Sequence, residues 1–163
     1  MGILSLITFL PLAGSIAIMA MPKEKSDWHR ICALFFSLLS FVVSIVLLSS
    51  FVRSEGWFQF VETASWIPAF NINYHMAVDG LSLPLVILTT LLSVLSVVGS
   101  FGIENRTKEY FFWFLLLETG MLGVFVARDF FLFYVCWEIT LVPMYFLIGI
   151  WGGPRREYAA IKF

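Results

Sequence analysis

A single carboxylate lies deep within a long apolar segment near the end of the sequence. Glu138 is near the middle of FFLFYVCWEITLVPMYFLIGIW, residues Phe130–Trp151, and this segment contains no other Asp, Glu, Lys, Arg or His. About 20 apolar residues span a bilayer, and a charge at the centre costs roughly 2.5–3.5 kcal/mol. A charge at that depth is typical of proton relay, ion binding or pairing. We predict that Glu138 relays protons; the alternative is a neutral acid that only hydrogen-bonds across helices.

Three residues of the same segment are candidate supports for Glu138. Tyr134 lies four residues before it and Tyr145 seven residues after it, so both phenols fall on its helical face and can hold water. Pro143 has no N–H group, so it leaves the carbonyl of Ile139 without its helical donor. A carboxylate, a free carbonyl and two phenols together predict a hydrated pocket.

A second acid, Glu118, lies inside the preceding apolar segment, in FLLLETGML. It is ten residues before Arg128, and Glu138 is nine residues after Asp129, so both acids lie about 14 Å from the same turn. If the two carboxylates face each other, repulsion adds to the cost of charging either one. The spacing does not determine whether the two carboxylates face each other. We predict that Glu118 is a secondary proton-relay acid. Arg128 and Asp129 are interpreted as turn residues, with Asp129 capping the next helix.

The composition is that of a protein embedded in lipid. The 163 residues are 60% hydrophobic and 13% charged, whereas soluble domains carry about 25% charged residues. The sequence contains no CxxC pair, GxGxxG motif or P-loop, so nothing in it indicates zinc, iron–sulfur or nucleotide binding. We therefore expect an all-α integral membrane protein. It is expected to bind no cofactor of its own, to contact membrane lipid and not to bind nucleic acid.

Five apolar segments each have the length of one transmembrane helix. They cover residues 3–21, 31–52, 81–101, 110–127 and 130–151, and REYAAIKF at 156–163 is typical of the start of a sixth helix. We interpret the sequence as an amino-terminal piece of a longer protein. The longest connection, residues 53–79, has aromatic and β-branched segments on either side of Ile67-Pro68. These predict a β-hairpin or a lid on the helix ends, and Asp79 is predicted to cap the third helix.

Loop charges predict the orientation of these helices in the membrane. Arg53 and Arg128 fall on one side, and eight basic residues fall on the other. The eight are Lys23, Lys25, Arg30, Arg106, Lys108, Arg155, Arg156 and Lys162. The side with eight is expected to be cytoplasmic, so the amino terminus and the long connection lie on the outer side; for a bacterial membrane this is the periplasm. His29 is expected at the membrane interface.

Three stretches of the sequence match one known family closely. VDGLSLPLVILTTLL (78–92), LLLETGMLGVFVARDFFLFYVCWEITLVPMYFLIGIWGG (115–153) and REYAAIKF (156–163) closely resemble the M-type, antiporter-like membrane subunit of bacterial respiratory complex I. The resemblance covers essentially the whole sequence in order, as the amino-terminal portion of such a subunit. It implies a fold with inverted repeats. Residues 1–109 would form an amino-terminal membrane region, and residues 110–163 would begin the proton-translocating repeat.

The resemblance also implies a function. Members of the family translocate protons in NADH:quinone oxidoreductase, and the acid of their fifth helix maps onto Glu138 in the WE motif. Its lysine partner lies on a later helix, beyond Phe163. NADH, FMN, iron–sulfur clusters and quinone are expected on partner subunits, and the neighbours are other antiporter-like membrane subunits. Two alternatives are a subunit of a sodium/proton antiporter or membrane-bound hydrogenase, and a non-catalytic membrane scaffold.

Overall fold

A computed structural model describes residues 2–52 and 57–163 of the chain. Within these residues, five helices are long and apolar enough to cross a membrane. The helices are α1 (Ile3–Ala20), α2 (Ser26–Ser50), α3 (Ser82–Gly99), α4 (Thr107–Val126), α5 (Phe130–Trp151) and the short α6 (Arg156–Lys162). The predicted fold class, with five transmembrane helices and the start of a sixth, is therefore confirmed, and the chain is a multi-pass membrane protein.

Two helices begin earlier than their apolar patterns predict, α2 at Ser26 instead of residue 31 and α4 at Thr107 instead of residue 110. The helix α2 starts about one turn before the predicted segment, and its polar first turn is held by an ion pair between Arg30 and Asp27 at 2.7 Å. His29, which was expected at the interface, is fully buried, and its Nε2 lies 3.0 Å from the carbonyl oxygen of Pro22. Polar groups that find partners on neighbouring segments can extend a helix beyond its apolar residues.

The helix α4 is the central element of the bundle, because it packs against α1, α2, α3 and α5. Two clusters of buried apolar side chains fill the space around it. Leu115 of α4 belongs to one cluster, and Leu122 of α4 belongs to the other, which also contains Met76 and Val78 from the connection after α2. Glu118 therefore lies on the stretch of α4 between the two clusters.

The long connection after α2 forms the predicted hairpin. Strands β1 (Gln59–Ile67) and β2 (Ile72–Val78) pair antiparallel, with a 3₁₀ turn at Pro68–Phe70 and Asn71 in the left-handed region at φ 54°. Such backbone geometry favours asparagine among residues with a side chain. The last three residues of β2 are fully buried. The hairpin therefore packs onto the end of the bundle instead of standing free in solvent.

A glutamate of the hairpin caps the first transmembrane helix. The Glu62 carboxylate accepts hydrogen bonds from the backbone N–H groups of Leu4 at 2.7 Å, of Ser5 at 3.2 Å and of Gly2 at 3.2 Å. It also accepts from the hydroxyl of Ser5, whose Oγ lies 2.6 Å from the hydroxyl of Tyr74. Free N–H groups at a helix start and the helix dipole both favour a negative charge there. Glu62 therefore ties the hairpin to α1.

The turn between α4 and α5 provides a second anchor for the hairpin. The backbone N–H of Arg128 donates to the carbonyl of His75 at 2.8 Å, and its Nε donates to the carbonyl of Ala77 at 3.3 Å. The Nη2 of Arg128 lies 3.0 Å from Oδ2 of Asp79. The interpretation of Arg128 as a simple turn residue is therefore incomplete, because this side chain joins the hairpin to the helix ends.

Two aspartates cap helices as predicted. Oδ1 of Asp129 accepts from the N–H of Phe131 at 2.9 Å at the start of α5, and its Oδ2 accepts from the N–H of Asn73 in the hairpin at 3.0 Å. Oδ1 of Asp79 accepts from the N–H of Ser82 at 2.7 Å at the start of α3. Both caps are confirmed, and each aspartate also makes a contact with another element that the sequence did not predict, Asp129 with Asn73 and Asp79 with Arg128.

These contacts change the acidity of both aspartates. The hydrogen bond from Asn73, with those from the first turn of α5, lowers the pKa of Asp129 below its ordinary value. Burial works to raise the pKa of Asp79, but hydrogen bonds from Ser82 and the charge of Arg128 outweigh it, so this pKa is also lowered. Both groups therefore favour the folded hairpin in their ionised form.

Basic residues collect at the end of the bundle opposite the hairpin. The Nζ of Lys108, at the start of α4, donates to the carbonyl of Met21, just after α1, at 2.6 Å. Arg30 lies in the first turn of α2 at this same end. Arg128 lies at the hairpin end, and Arg53, the other basic residue expected there, is outside the described residues. The two ends thus differ in charge as the sequence analysis expects.

Replacement of Glu62 by alanine should loosen the hairpin from α1. Loss of a helix cap destabilises by about 1–2 kcal/mol, which corresponds to an increase of roughly tenfold in local opening. Hydrogen exchange of the backbone of residues 59–78, measured by mass spectrometry on the full protein in membranes, reports this opening. The matched control is Thr63→Ala, because Thr63 is the exposed neighbour on the same strand. Equal exchange in both variants would contradict the role of Glu62.

Acid should release the hairpin in a narrow range of pH. The pKa values of Asp79 and Asp129 are lowered in the folded protein, so their stabilisation is fully present above the unfolded value of about 3.9. It is lost as the pH falls through the lower folded values. A polarity-sensitive dye on Thr63→Cys should therefore change its emission only below about pH 4. The Asp79→Asn and Asp129→Asn double variant should lack this step, and a step near neutral pH would contradict the assignment.

Candidate functional site

Two glycines of α4 determine which side of α5 faces it. A Cβ atom added at Gly120 would lie 2.7 Å from Cγ2 of Thr140 and 3.1 Å from the carbonyl oxygen of Cys136. A Cβ atom added at Gly123 would lie 2.5 Å from Sγ of Cys136. Small residues allow transmembrane helices to approach closely in this way. The stripe of α5 that contains Cys136 and Thr140 is therefore pressed against α4.

Glu138 points away from this seam. It follows Cys136 by two residues, which is a rotation of about 200° around the helix axis. Its side chain is exposed on the outer face of α5. The ion pairs among residues 2–52 and 57–163 involve Asp27, Glu109 and Asp79, and Glu138 takes part in none of them. A carboxylate near the middle of a span is thus exposed on the outer face of α5, whose C-terminal end packs against α6 near Gly149.

The two candidate phenols share this open face. Tyr134 is 52% exposed and Tyr145 is 46% exposed, and the phenol of Tyr134 lies beside the Glu138 carboxylate. Pro143, the third supporting residue, is buried. Because it follows Cys136 by seven residues, its ring lies on the stripe that faces α4. The structure brings the phenol of Tyr134 to the carboxylate, places Tyr145 two turns further along the same face, and places the proline ring on the other side of the helix.

Glu118 has the opposite environment. Its side chain is fully buried, and Ser37 of α2 donates from Oγ to Oε2 of Glu118 at 2.7 Å. The other oxygen, Oε1, is buried without a hydrogen-bond partner among the described residues. Thr119, the adjacent polar residue, donates instead to the carbonyl of Leu115 at 3.0 Å. One carboxylate oxygen is therefore held in place while the other is free to bind a proton or a water molecule.

The two carboxylates do not face each other. Glu118 is directed from α4 to α2, whereas Glu138 is directed outward from α5. The possibility of direct repulsion between them, which the sequence left open, is therefore excluded by the orientation of the helices. Within the described residues, no group of three or more His, Cys, Asp or Glu side chains is placed to hold a metal ion.

Ser37 is the site residue that sequence reasoning missed. The buried side chains of α2 recur every three or four residues along one face: His29, Ala33, Ser37, Ser40, Ser44 and Leu47. A stripe of serines on the inward face of an apolar helix is a readable signal, since each buried hydroxyl needs a partner. The spacing predicts that the stripe faces a polar neighbour, but not that Glu118 is this neighbour.

Family models match nearly the whole chain. The model described as NADH-ubiquinone oxidoreductase chain 4, amino terminus, matches residues 5–127. The model described as NADH:quinone oxidoreductase/Mrp antiporter, TM, matches residues 127–163. The two matches meet in the turn between α4 and α5.

Curated relatives agree with these models. The chain is 42% identical over 158 residues to NAD(P)H-quinone oxidoreductase chain 4 1 of Synechococcus elongatus, which covers 96% of this chain and 30% of that protein. It is 42% identical over 169 residues to NADH-quinone oxidoreductase subunit M of Rhodobacter capsulatus, which covers 99% of this chain and 32% of that protein. The chain thus spans about a third of the length of these relatives.

Two solved structures resemble the fold over nearly the whole of this chain. A chain of respiratory complex I from Thermus thermophilus with bound NADH is similar at a TM-score of 0.80 and 25% identity, over 96% of this chain and 31% of that chain. A chain of the membrane-bound sulfane sulfur reductase, an archaeal respiratory membrane complex, shares the fold alone, at a TM-score of 0.75 and 20% identity over 96% of this chain and 24% of that chain. The chain belongs to the family of chain 4, or subunit M, of NADH-quinone oxidoreductase and corresponds to its amino-terminal portion.

Proposed function

We propose that this chain is part of a proton-translocating membrane subunit of NADH:quinone oxidoreductase and that Glu138 relays the protons. The observation that carries the proposal is the position of Glu138, a carboxylate near the middle of α5 with the phenol of Tyr134 beside it. Membership of the family indicates the complex, NADH:quinone oxidoreductase, in which such a group would work.

The surroundings of Glu138 favour a functional role over a structural one. Its face of α5 also presents Tyr134, Trp137 and Tyr145, each about half exposed. A charge that faced hydrocarbon there would cost roughly 2.5–3.5 kcal/mol. A polar cover of protein or water removes most of that cost, and a basic partner removes more. We propose that this cover includes the lysine that the family resemblance places on a later helix, beyond these 163 residues.

The mechanism that we propose is electrostatic. When the lysine charge approaches Glu138, the ionised carboxylate is favoured and the proton leaves. When the lysine charge withdraws, the carboxylate takes up a proton again. Water held by the hydroxyls of Tyr134 and Tyr145, and by the backbone carbonyl that Pro143 leaves free, carries the proton laterally.

Glu118 is the second relay group in this proposal. It is buried in the bundle of α1 to α4, on the side of α4 away from α5, and its free oxygen Oε1 can hold a proton. We rank Glu118 second because it is fully buried in this bundle, whereas Glu138 is exposed on a face that further helices of the subunit can contact. Residues 110–163 then begin the translocating repeat, and residues 1–109 form the membrane region before it.

The redox chemistry belongs to partner subunits in this proposal. NADH, FMN, iron–sulfur clusters and quinone are bound there, and this chain carries no redox site. The end of the bundle with the basic residues faces the cytoplasm of a bacterial inner membrane, and the hairpin faces the periplasm. The neighbours are other antiporter-like membrane subunits and lipid.

A second candidate function has one observation in its favour. The family model that matches α5 and α6 also describes Mrp antiporters. A subunit of a sodium/proton antiporter or of a membrane-bound hydrogenase would use the same Glu138 with a different energy source. Proton movement that is driven by NADH oxidation and is independent of sodium favours the first function, and exchange that requires sodium favours the second.

Replacement of Glu138 by glutamine tests the relay. Glutamine keeps the size of the side chain but cannot exchange a proton, so proton pumping in membrane vesicles should fall about a hundredfold or more, as for loss of an acid–base group. NADH oxidation by assembled, uncoupled complex should be retained. Glu104→Gln, at an exposed acid between α3 and α4, is the matched control. Wild-type pumping in Glu138→Gln would refute the mechanism.

Replacement of Glu118 by glutamine should have a milder effect. The variant keeps an oxygen that accepts from Ser37, so the bundle is preserved while a secondary site is lost. Pumping should fall by about tenfold or less, which is the factor for roughly 1.4 kcal/mol. The same vesicle measurement applies, with assembly of the complex checked in parallel. A loss equal to or larger than that of Glu138→Gln would reverse the order of the two acids.

A further inference from the structure

Three serines on the inward face of α2 differ in what they bind. Ser40 donates to the carbonyl of Phe36 at 3.1 Å, which lies one turn earlier on the same helix. Ser44 donates to the carbonyl of Phe41 on its own helix at 2.7 Å, and its Oγ also lies 2.9 Å from Oγ1 of Thr90 on α3. Back-bonding of this type is the usual way for a buried serine to satisfy its hydroxyl. Ser37 instead donates to an acidic side chain, Glu118 of α4.

The contact between Ser37 and Glu118 is fully enclosed. Both residues have no exposed surface, and they are 81 positions apart in the sequence. Glu118 is the acidic side chain that is fully buried among the residues the structure describes. Among the described residues, the carboxyl group of Glu118 has the hydroxyl of Ser37 as its hydrogen-bond partner. The orientation of Glu118 inside the bundle therefore depends on α2.

A hydroxyl is suited to a carboxyl group that changes its protonation state. Ser37 can donate to the carboxylate when Glu118 is ionised, and its lone pairs can accept from the carboxylic acid when Glu118 is protonated. A lysine or an arginine in its place could only donate and would hold the ionised state. Because Oε1 is unpartnered, a proton can arrive there without breaking the bond of Ser37 to Oε2.

We propose that Ser37 of α2 is a positioning residue for proton exchange at Glu118, so that the carboxyl–hydroxyl pair between α2 and α4 forms one proton-holding site. The inference rests on the proposed function of Glu118, and it goes further because it places α2 within the proton-translocating machinery. α2 lies in the part of the chain that the chain 4 amino-terminus model matches, before the antiporter model begins. The site is separate from the face of α5 that carries Glu138.

The experiment uses the whole respiratory complex in native membranes, with Ser37→Ala, Ser37→Thr and the control Ser40→Ala. Ser40 is an equally buried serine one turn further along α2, and it does not bond Glu118. Infrared difference spectra recorded during turnover report the C=O stretch of protonated carboxyl groups. The band of Glu118 is assigned by its disappearance in Glu118→Gln. Proton pumping per NADH oxidised is measured on the same membranes.

Loss of one buried hydrogen bond should lower pumping in Ser37→Ala by about two- to fivefold. The Glu118 band should shift to higher wavenumber, because a carbonyl that loses a donor stretches at higher frequency. Ser37→Thr retains a hydroxyl and should restore both the band and the pumping rate. Ser40→Ala should leave both unchanged, since its hydroxyl serves its own helix.

Three results would overturn the proposal. The first is a Glu118 band in Ser37→Ala that stays at the wild-type position. The second is a band shift and pumping loss in Ser40→Ala equal to those in Ser37→Ala, which would indicate a general effect on packing. The third is the absence of any band that depends on Glu118. Failure of the Glu138 relay is recognised separately, by normal pumping in Glu138→Gln.

Discussion

Lipid offers no hydrogen bonds, so every polar group inside the bilayer must find its partner within the protein. Many polar groups inside this bundle follow that constraint, whereas Oε1 of Glu118 and the hydroxyls of Thr8 and Ser93 have no partner among the described residues. The buried serines of α2 bond to carbonyls of their own helix or to Thr90, and Ser37 bonds to the buried carboxyl group of Glu118. The same requirement applies to Glu138, whose side chain is exposed among the residues that the structure describes. A charge there has to be met by further protein or by water.

Most of the architecture could be predicted from the sequence because it depends on segment length and on local chemistry. Apolar runs long enough for a bilayer predict the five spans, and α5 has the bounds that its run indicates. Aspartates before the helices at Asp79 and Asp129 predict caps, because a carboxylate can accept from free N–H groups whatever lies further away. The hairpin after α2 also follows from its alternating aromatic and β-branched segments.

The candidate site could be predicted only in part. The depth of Glu118 and Glu138 follows from the rise per residue, but the direction of each carboxylate depends on how the helices are rotated. That rotation is determined by tertiary contacts, such as the approach of Cys136 to Gly120 and Gly123. The partner of Glu118 lies 81 residues away on α2, so local spacing carries no information about it. For the same reason, local spacing does not predict the bonds by which Glu62 joins the hairpin to α1 and Arg128 joins it to the turn after α4.

The hairpin holds the starts of three transmembrane helices at one membrane surface. Glu62 binds the first turn of α1, Asp79 with Arg128 joins α3 to the turn after α4, and Asp129 binds both α5 and Asn73. Helices joined in this way cannot slide past one another along the membrane normal without breaking charged hydrogen bonds. The opposite ends of the helices are joined as well, by the bonds from Lys108 to the carbonyl of Met21 and from Arg30 to the carbonyl of Ile103. The spans are therefore fastened to one another at both membrane surfaces, and the hairpin fixes the relative heights of α1, α3 and α5.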